Sequence, residues 1–279
     1  MIDLHLHSTS SDGSFTPSEL VDYAIKKNLT AFALTDHDTC SGIDEAINYA
    51  RSINSGLTII PGIELSTKYE NESVHILGLN IDYKNQEFLE KIRPFVEARY
   101  NRNAQMLELF KENNIPITED ILVKRFGKDT VITRAHYAIL MVESGMVKDK
   151  DEAFEKYLGH GCKFYIERKH MTPFEAVEFI KIAGGHPVMA HPVLYDFDDA
   201  TLDKLVCDLQ KCGLEGIEAI YSCNKDGDEE KYTALANRYG LYITGGSDFH
   251  GTAKPGLELG TGYGDLCVPD ELLGNVLAY

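Results

Sequence analysis

Two histidines, His5 and His7, stand two residues apart in the opening apolar stretch Ile2–His7. On a strand, a period of two predicts that both imidazoles share one face with Asp3, opposite Ile2, Leu4 and Leu6. Two imidazoles aimed the same way at a strand end can hold a divalent metal ion. Asp12 follows in Ser10-Ser11-Asp12-Gly13, where the glycine lets the chain turn the carboxylate back. Asp36-His37-Asp38 closes a second apolar run. Neighbours on a strand point opposite ways, so His37 and one carboxylate are expected to face the site, with Asp36 orienting an imidazole. Glu64 closes a third run in Pro61-Gly62-Ile63-Glu64, and His75 opens a fourth. His191 lies in Ala190-His191-Pro192, and Asp248 and His250 lie in Gly246-Ser247-Asp248-Phe249-His250.

Any one of these residues alone would be an ordinary core histidine or turn carboxylate. Together they place six of the chain's ten histidines, with two aspartates and a glutamate, at or near strand ends. Mixed imidazole and carboxylate donors suit Mn²⁺, Fe²⁺ or Zn²⁺ better than Mg²⁺ or Ca²⁺. Nine ligands exceed the needs of one ion, so two or three divalent ions are expected. The donors alone leave manganese, iron and zinc open. Such clusters activate water and clamp a phosphoryl group.

The elements that would position these residues are short. Strand-length runs occur at Ile2–His7, Ala31–Asp38, Leu57–Ser66, His75–Asn80, His186–Pro192, Gly216–Ser222 and Tyr242–His250. Helix signals lie between most of them. Thr16-Pro17-Ser18-Glu19 and Thr172-Pro173-Phe174-Glu175 are capping boxes with proline at the first helical position. Strand alternating with helix predicts an α/β fold with parallel strands, here a barrel of seven strands. The alternation stops between Tyr83 and Thr172, where helices are expected at about Asn85–Asn114, Thr118–Phe126, Thr133–Ser144 and Asp149–Leu158. The expected organisation is a barrel from residues 1–82 and 173–279, with a helical cap inserted at 83–172.

The composition is that of a globular enzyme: 279 residues, 43% hydrophobic and 25% charged, with a net charge of −17. That charge argues against a long nucleic-acid track, which needs Lys and Arg surfaces. It is unevenly spread. Residues 83–172 hold 16 of the 27 Lys and Arg but 14 of the 44 Asp and Glu. One reading is an acidic metal-holding floor beneath a basic cap; the other is two differently solvated surfaces. No apolar run is long enough to span a membrane. The N-terminus shows no basic stretch followed by an apolar one, so a cytoplasmic protein is expected. The six cysteines form no C-x-x-C pair and are expected to be free thiols without a ligand role.

The set H-x-H at His5 and His7, T-D-H at Thr35–His37, G-I-E at Gly62–Glu64, lone His75, A-H-P at Ala190–Pro192 and S-D-x-H at Ser247–His250 resembles the PHP family. This polymerase and histidinol phosphatase family belongs to the amidohydrolase superfamily. The resemblance implies a distorted (β/α)₇ barrel and a site for two or three metals. One metal would take His5, His7, Glu64 and Asp248. A second would share Glu64 and add His75 and His191. A third would use Asp12, His37 and His250, with Asp12 where many members have histidine. The stretches around Arg99–Asn103 and Thr133–His136 are similar to stand-alone PHP phosphoesterases with a helical cap. Members of that group act on nucleoside 3′,5′-bisphosphates or on cyclic phosphates of a phosphorylated ribose.

Arg99, Arg102 and Asn103 share a helix face by their i, i+3, i+4 spacing. Arg134 follows Thr133, an N-cap candidate, and so lies near a helix N-terminus that favours anions. Arg102, Arg134, His136 and Arg168 are the expected substrate-binding residues, because arginine grips phosphate with two parallel bonds. The alternative is a salt-bridged helical surface. The expected reaction is attack on a small phosphate ester by metal-activated hydroxide, oriented by Asp248, with His191 or Asp36 as acid. The substrate favoured is a nucleoside 3′,5′-bisphosphate, losing its 3′-phosphate. A cyclic-phosphate diesterase, a 5′-3′ exonuclease on short oligonucleotides, a hydrolase of other bonds and a non-catalytic PHP module are the alternatives.

Overall fold

Seven strands line up in one sheet in the order of the sequence. They are β1 (Ile2–Leu6), β2 (Ala31–Leu34), β3 (Thr58–Tyr69), β4 (Glu72–Leu79), β5 (His186–Met189), β6 (Gly216–Tyr221) and β7 (Tyr242–Gly246). The computed structural model describes residues 1–277. The sheet curls until its edges meet. The His7 amide donates to the Phe249 carbonyl at 3.0 Å and the Asp248 amide to the His5 carbonyl at 2.9 Å. The result is a nearly closed seven-strand barrel of the expected α/β class.

The strands are not all parallel. β4 runs antiparallel to both β3 and β5, because β3 continues to Tyr69 and the chain then turns straight back in a hairpin. The first part of β3 pairs with β2, and the remainder, Gly62–Tyr69, pairs with β4. The extension was hidden because Thr67–Ser73 is polar and the turn holds Glu70 at φ 53° with no glycine. Glu64 therefore lies inside a strand, not at its end. Gly62 permits the crossing: a Cβ there would meet the Leu34 carbonyl oxygen at 2.9 Å.

Side chains of the strands divide between two apolar clusters. Ile2, Leu4, Ala31, Ala33, Ile60, Leu77, Val188 and Ile220 come from six strands and fill the barrel. Leu6, Phe32 and Leu34 pack outside with α1 (Pro17–Lys26) and α2 (Ile43–Ser52). Ile2, Leu4 and Leu6 thus do not share a face. The register of β1 against β2 slips between Asp3 and Leu6, and one irregular residue reverses the alternation. Asp3 consequently leaves the histidine face. It accepts instead from the Ser247 and Gly260 amides at 2.8 Å each, joining β1 to the segments after β7.

Both expected capping boxes are present, at α1 and at α7 (Pro173–Ile182). The chain forms two compact units, Met1–Ile92 with His170–Tyr279, and Arg93–Lys169. The second contains most of α3 (Gln86–Glu112), then α4 (Glu119–Phe126), α5 (Arg134–Glu143) and α6 (Lys150–Ala153), which runs into a π-turn at Phe154–Leu158. Its own core is built on Met106, Phe110, Tyr137, Met141, Leu158 and Phe164. No helix among the described residues is long and apolar enough to cross a membrane. All six cysteines are free.

Candidate metal centre

The barrel unit brings all nine expected ligands into one cluster. Their donor atoms fall into four overlapping sets, each within 4.8 Å: His7, Asp12, His37 and His250; His5, His7 and Glu64; His5, His191 and Asp248; His37, Glu64 and His75. Glu64 stands at the middle. Its carboxylate lies 2.8 Å from His75 Nδ1, 3.0 Å from His191 Nε2 and His37 Nδ1, 3.2 Å from His7 Nε2 and 3.4 Å from His5 Nε2. The backbone pins it, since the Glu64 amide donates to the Asp36 carbonyl and the Asp38 amide donates to the Glu64 carbonyl.

The donor set fits divalent cations. Glu64 Oε2 is buried and makes no hydrogen bond although three imidazole nitrogens surround it. His5 Nε2 and His7 Nε2 face each other at 3.1 Å, where the pair can share a single proton. Unpaired lone pairs converging in a buried space are what a cation would satisfy. When bound, such ions acidify a water and take up charge on phosphoryl oxygens.

Neighbouring residues fix the ligands, and most of them carry no motif. Glu218, buried on β6, accepts from His5 Nδ1 at 3.0 Å and from the His191 amide at 2.7 Å. It leaves His5 Nε2 as the free donor and holds His191 in a left-handed conformation, φ 24°. The signal was a glutamate inside the otherwise apolar run Gly216–Tyr221. The Tyr195 hydroxyl donates to the Ala190 carbonyl at 2.6 Å and accepts from the His75 amide at 3.1 Å, tying β4 to the His191 segment. Asp248 Oδ2 accepts from the Tyr221 hydroxyl at 2.7 Å and from Lys254 Nζ, while Oδ1 faces His7 Nε2 and His250 Nδ1 at 3.3 Å each. Asp248 has φ 55°, so the D-x-H pair lies on a turn beyond β7 and not on a strand face. Asp36 bonds no imidazole. Its oxygens accept from the Ser8 amide and hydroxyl and the Ser11 hydroxyl at 2.6–2.8 Å, and Ser11 Oγ lies 3.4 Å from His7 Nδ1.

Charge state follows from this crowding. Burial opposes a proton on His7, but the close Asp248 and Glu64 carboxylates outweigh it, raising its pKa to about 9. Burial likewise opposes the charge on His5, and Glu218, Glu64 and Asp248 override it. His250 is the opposite case: burial, then Lys254 and His7, lower it to about 4. In the metal-free protein the His7 shift adds stability that is full below the ordinary imidazole range and is lost as pH rises through about 9. A cation taking His7 Nε2 must expel that proton, so metal affinity is expected to climb with pH up to about 9. Calorimetric manganese titrations at neutral pH, in buffers of different ionisation enthalpy, should report release of roughly one proton or more. Heats independent of the buffer would contradict this.

A second group of polar residues lies wholly within the helical unit. Arg99 and Arg102 on α3 are 6% and 4% exposed. Arg102 Nε and Nη2 have no hydrogen-bond partner, nor does the buried Tyr137 hydroxyl. Burial first, then Arg99, Arg134 and Arg168, push the Arg102 pKa down to about 9. Arg134 stacks on the rings of Tyr165 and Phe154, 5.3 and 6.0 Å from their centroids, and donates to the Leu158 carbonyl of the π-turn at 3.3 Å. Arg168 Nη1 reaches the Lys169 carbonyl at 3.4 Å. His136 is turned to another use: its Nδ1 accepts from the Thr133 amide at 2.9 Å and completes the capping box of α5. This cap carries no part of the substrate contact expected of His136: histidine serves at the third helical position where glutamate usually does.

The PHP domain family matches residues 3–170. The chain belongs to the PHP family. It is 35% identical to a 3′,5′-nucleoside bisphosphate phosphatase of Chromobacterium violaceum, over 93% of this chain and 90% of that protein. It is 34% identical to a 5′-3′ exoribonuclease of Haemophilus influenzae, over 89% of each. A metal-dependent phosphoesterase from Bifidobacterium adolescentis superposes with a TM-score of 0.85 at 32% identity, covering 99% of this chain and 95% of that one. This PHP protein is a metal-dependent phosphoesterase.

Proposed function

We propose that this phosphoesterase removes the 3′-phosphate of a nucleoside 3′,5′-bisphosphate, leaving a nucleoside 5′-monophosphate and inorganic phosphate. The observation that carries this reading is the arginine group of the helical unit. A buried guanidinium with two nitrogens unpartnered, repelled by three other arginines, is unfavourable in the protein alone and calls for an anion. A phosphorylated substrate supplies such an anion. Arg102 and Arg134 are assigned to the retained phosphate, with Arg168 adding its charge.

In the barrel, His5, His7, Asp12, His37, Glu64, His75, His191, Asp248 and His250 would hold two or three divalent ions, manganese first and iron or zinc as alternatives. Asp248, held at Oδ2 by Tyr221 and Lys254, presents Oδ1 to accept the proton of the attacking water. His191 is the proposed acid for the leaving oxygen, since both oxygens of Asp36 are engaged by Ser8 and Ser11.

A second reading, removal of nucleotides from the 5′ end of short oligonucleotides, is favoured by the similarity to the exoribonuclease, and a 5′-phosphate would suit the same arginines. Phosphate and nucleotide release should be measured with manganese across nucleoside bisphosphates, cyclic phosphates, 5′-phosphorylated oligonucleotides and histidinol phosphate. Nucleoside 3′,5′-bisphosphates should give the highest kcat/KM. Preferential cleavage of oligonucleotides would replace the first reading with the second, and equal rates on substrates with a single phosphate would remove the role of the arginines.

A further inference from the structure

A cation stands among these cation ligands. Lys254 follows the short turn Gly251–Ala253 beyond His250 and places Nζ on Asp248 Oδ2. It also lies in the fields of the Asp12 and Glu64 carboxylates. An ammonium there opposes the collection of divalent ions, so metal binding does not account for it.

Nor does Asp248 depend on it. The Asp248 amide is bonded to the His5 carbonyl at 2.9 Å, its carbonyl to His250 Nδ1 at 2.8 Å and its Oδ2 to the Tyr221 hydroxyl at 2.7 Å. Lys254, by contrast, has donors to spare. An ammonium carries three N–H bonds. One goes to Asp248 Oδ2, and the Asp248 carbonyl lies at 3.5 Å, the outer limit of a hydrogen bond. The Lys254 side chain is 32% exposed where those of Asp248 and His250 are 5% and 8%, so it is the part of this corner that an incoming molecule can reach.

We propose that Lys254 is a catalytic residue that donates a hydrogen bond to an oxygen of the phosphoryl group under attack, and that its bond to Asp248 aims it. The ammonium keeps its protons; it supplies charge and direction. Lys254 was passed over in the sequence because lysine offers no metal-ligand signal and its surroundings, Thr252-Ala253-Lys254-Pro255, read as an ordinary turn.

This inference rests on the metal-dependent phosphoesterase reading of the barrel site. The test compares the full-length wild type with Lys254→Met and Lys254→Arg by three measurements: manganese affinity, affinity of the manganese-loaded protein for inorganic phosphate, and phosphate-release kinetics. Loss of a charge-assisted bond should lower kcat/KM of Lys254→Met by about 10²-fold and phosphate affinity by about tenfold. Its manganese affinity should be unchanged or tighter, because a repelling charge is gone. Lys254→Arg should recover part of both losses and provides the comparison if the methionine variant folds poorly. Manganese binding weakened tenfold, with phosphate binding by the loaded protein unchanged, would overturn the proposal and make Lys254 a support for Asp248. Wild-type rates in Lys254→Met would overturn it too. A wild type that binds no manganese would overturn the underlying reading, and that result precedes any comparison of variants.

Discussion

Glu64→Gln is expected to lose both bound metal and activity, with phosphate release falling about 10³-fold or more. The substitution keeps the volume and removes the charge. Glu64 belongs to two of the four ligand sets, and its carboxylate lies within 3.4 Å of five imidazoles. Burial alone would raise the pKa of this carboxyl, but His37, His75 and His5 hold it well below the usual carboxylate range. An amide supplies one neutral oxygen and an NH₂ that would face imidazole nitrogens, turning an attraction into a clash of donors. Metal content by plasma mass spectrometry and phosphate release should fall together. Full metal content with full activity in this variant would show that Glu64 is not the shared ligand.

Arg102→Met should have two effects of opposite direction. Without phosphate or substrate, the variant should be more stable than the wild type by roughly 1–4 kcal/mol, the range seen when apolar side chains replace buried charge. Two guanidinium nitrogens without partners are removed from a buried position next to other arginines, and methionine fills much of the volume. With substrate, the variant should show KM raised about 10²-fold and a smaller change in kcat, because the contact is made in ground and transition states alike. Thermal unfolding with and without a nucleoside 5′-monophosphate gives the check. The wild type should be stabilised by the nucleotide and the variant little. A variant that is destabilised in the absence of ligand, and still stabilised by nucleotide as the wild type is, would show that Arg102 has a structural partner and no anion.

The clustering of the candidate ligands was legible because motif spacing carries them locally: His5 with His7, His37 in T-D-H, Glu64 in G-I-E. The barrel itself was legible from seven apolar runs. What escaped depends on pairing between distant segments. The direction of β4 is set by a hairpin whose polar residues have no strand signature. The face on which Asp3 lies is set by a slip against β2, which a strict period of two cannot reveal. Glu218, Tyr195, Tyr221 and Lys254 matter through partners 27 to 213 residues away or through a turn, and each looks unremarkable beside its sequence neighbours, Glu218 excepted. His136 shows the converse: its spacing suggested a ligand contact, and local capping chemistry takes its Nδ1.

The seam where the barrel closes lies between His5–His7 and Asp248–Phe249, and the ligand cluster straddles it. The residues that must meet are therefore far apart in the sequence. A chain emerging from the ribosome holds only fragments of the binding set until residue 250 is out, and joining His5 to Asp248 means closing a long loop, the slow and entropically costly kind of contact. A cation bound there would act as a clasp on that loop. Its release would remove one of several ties across the seam, so the stability of the folded enzyme should rise with the supply of its metal.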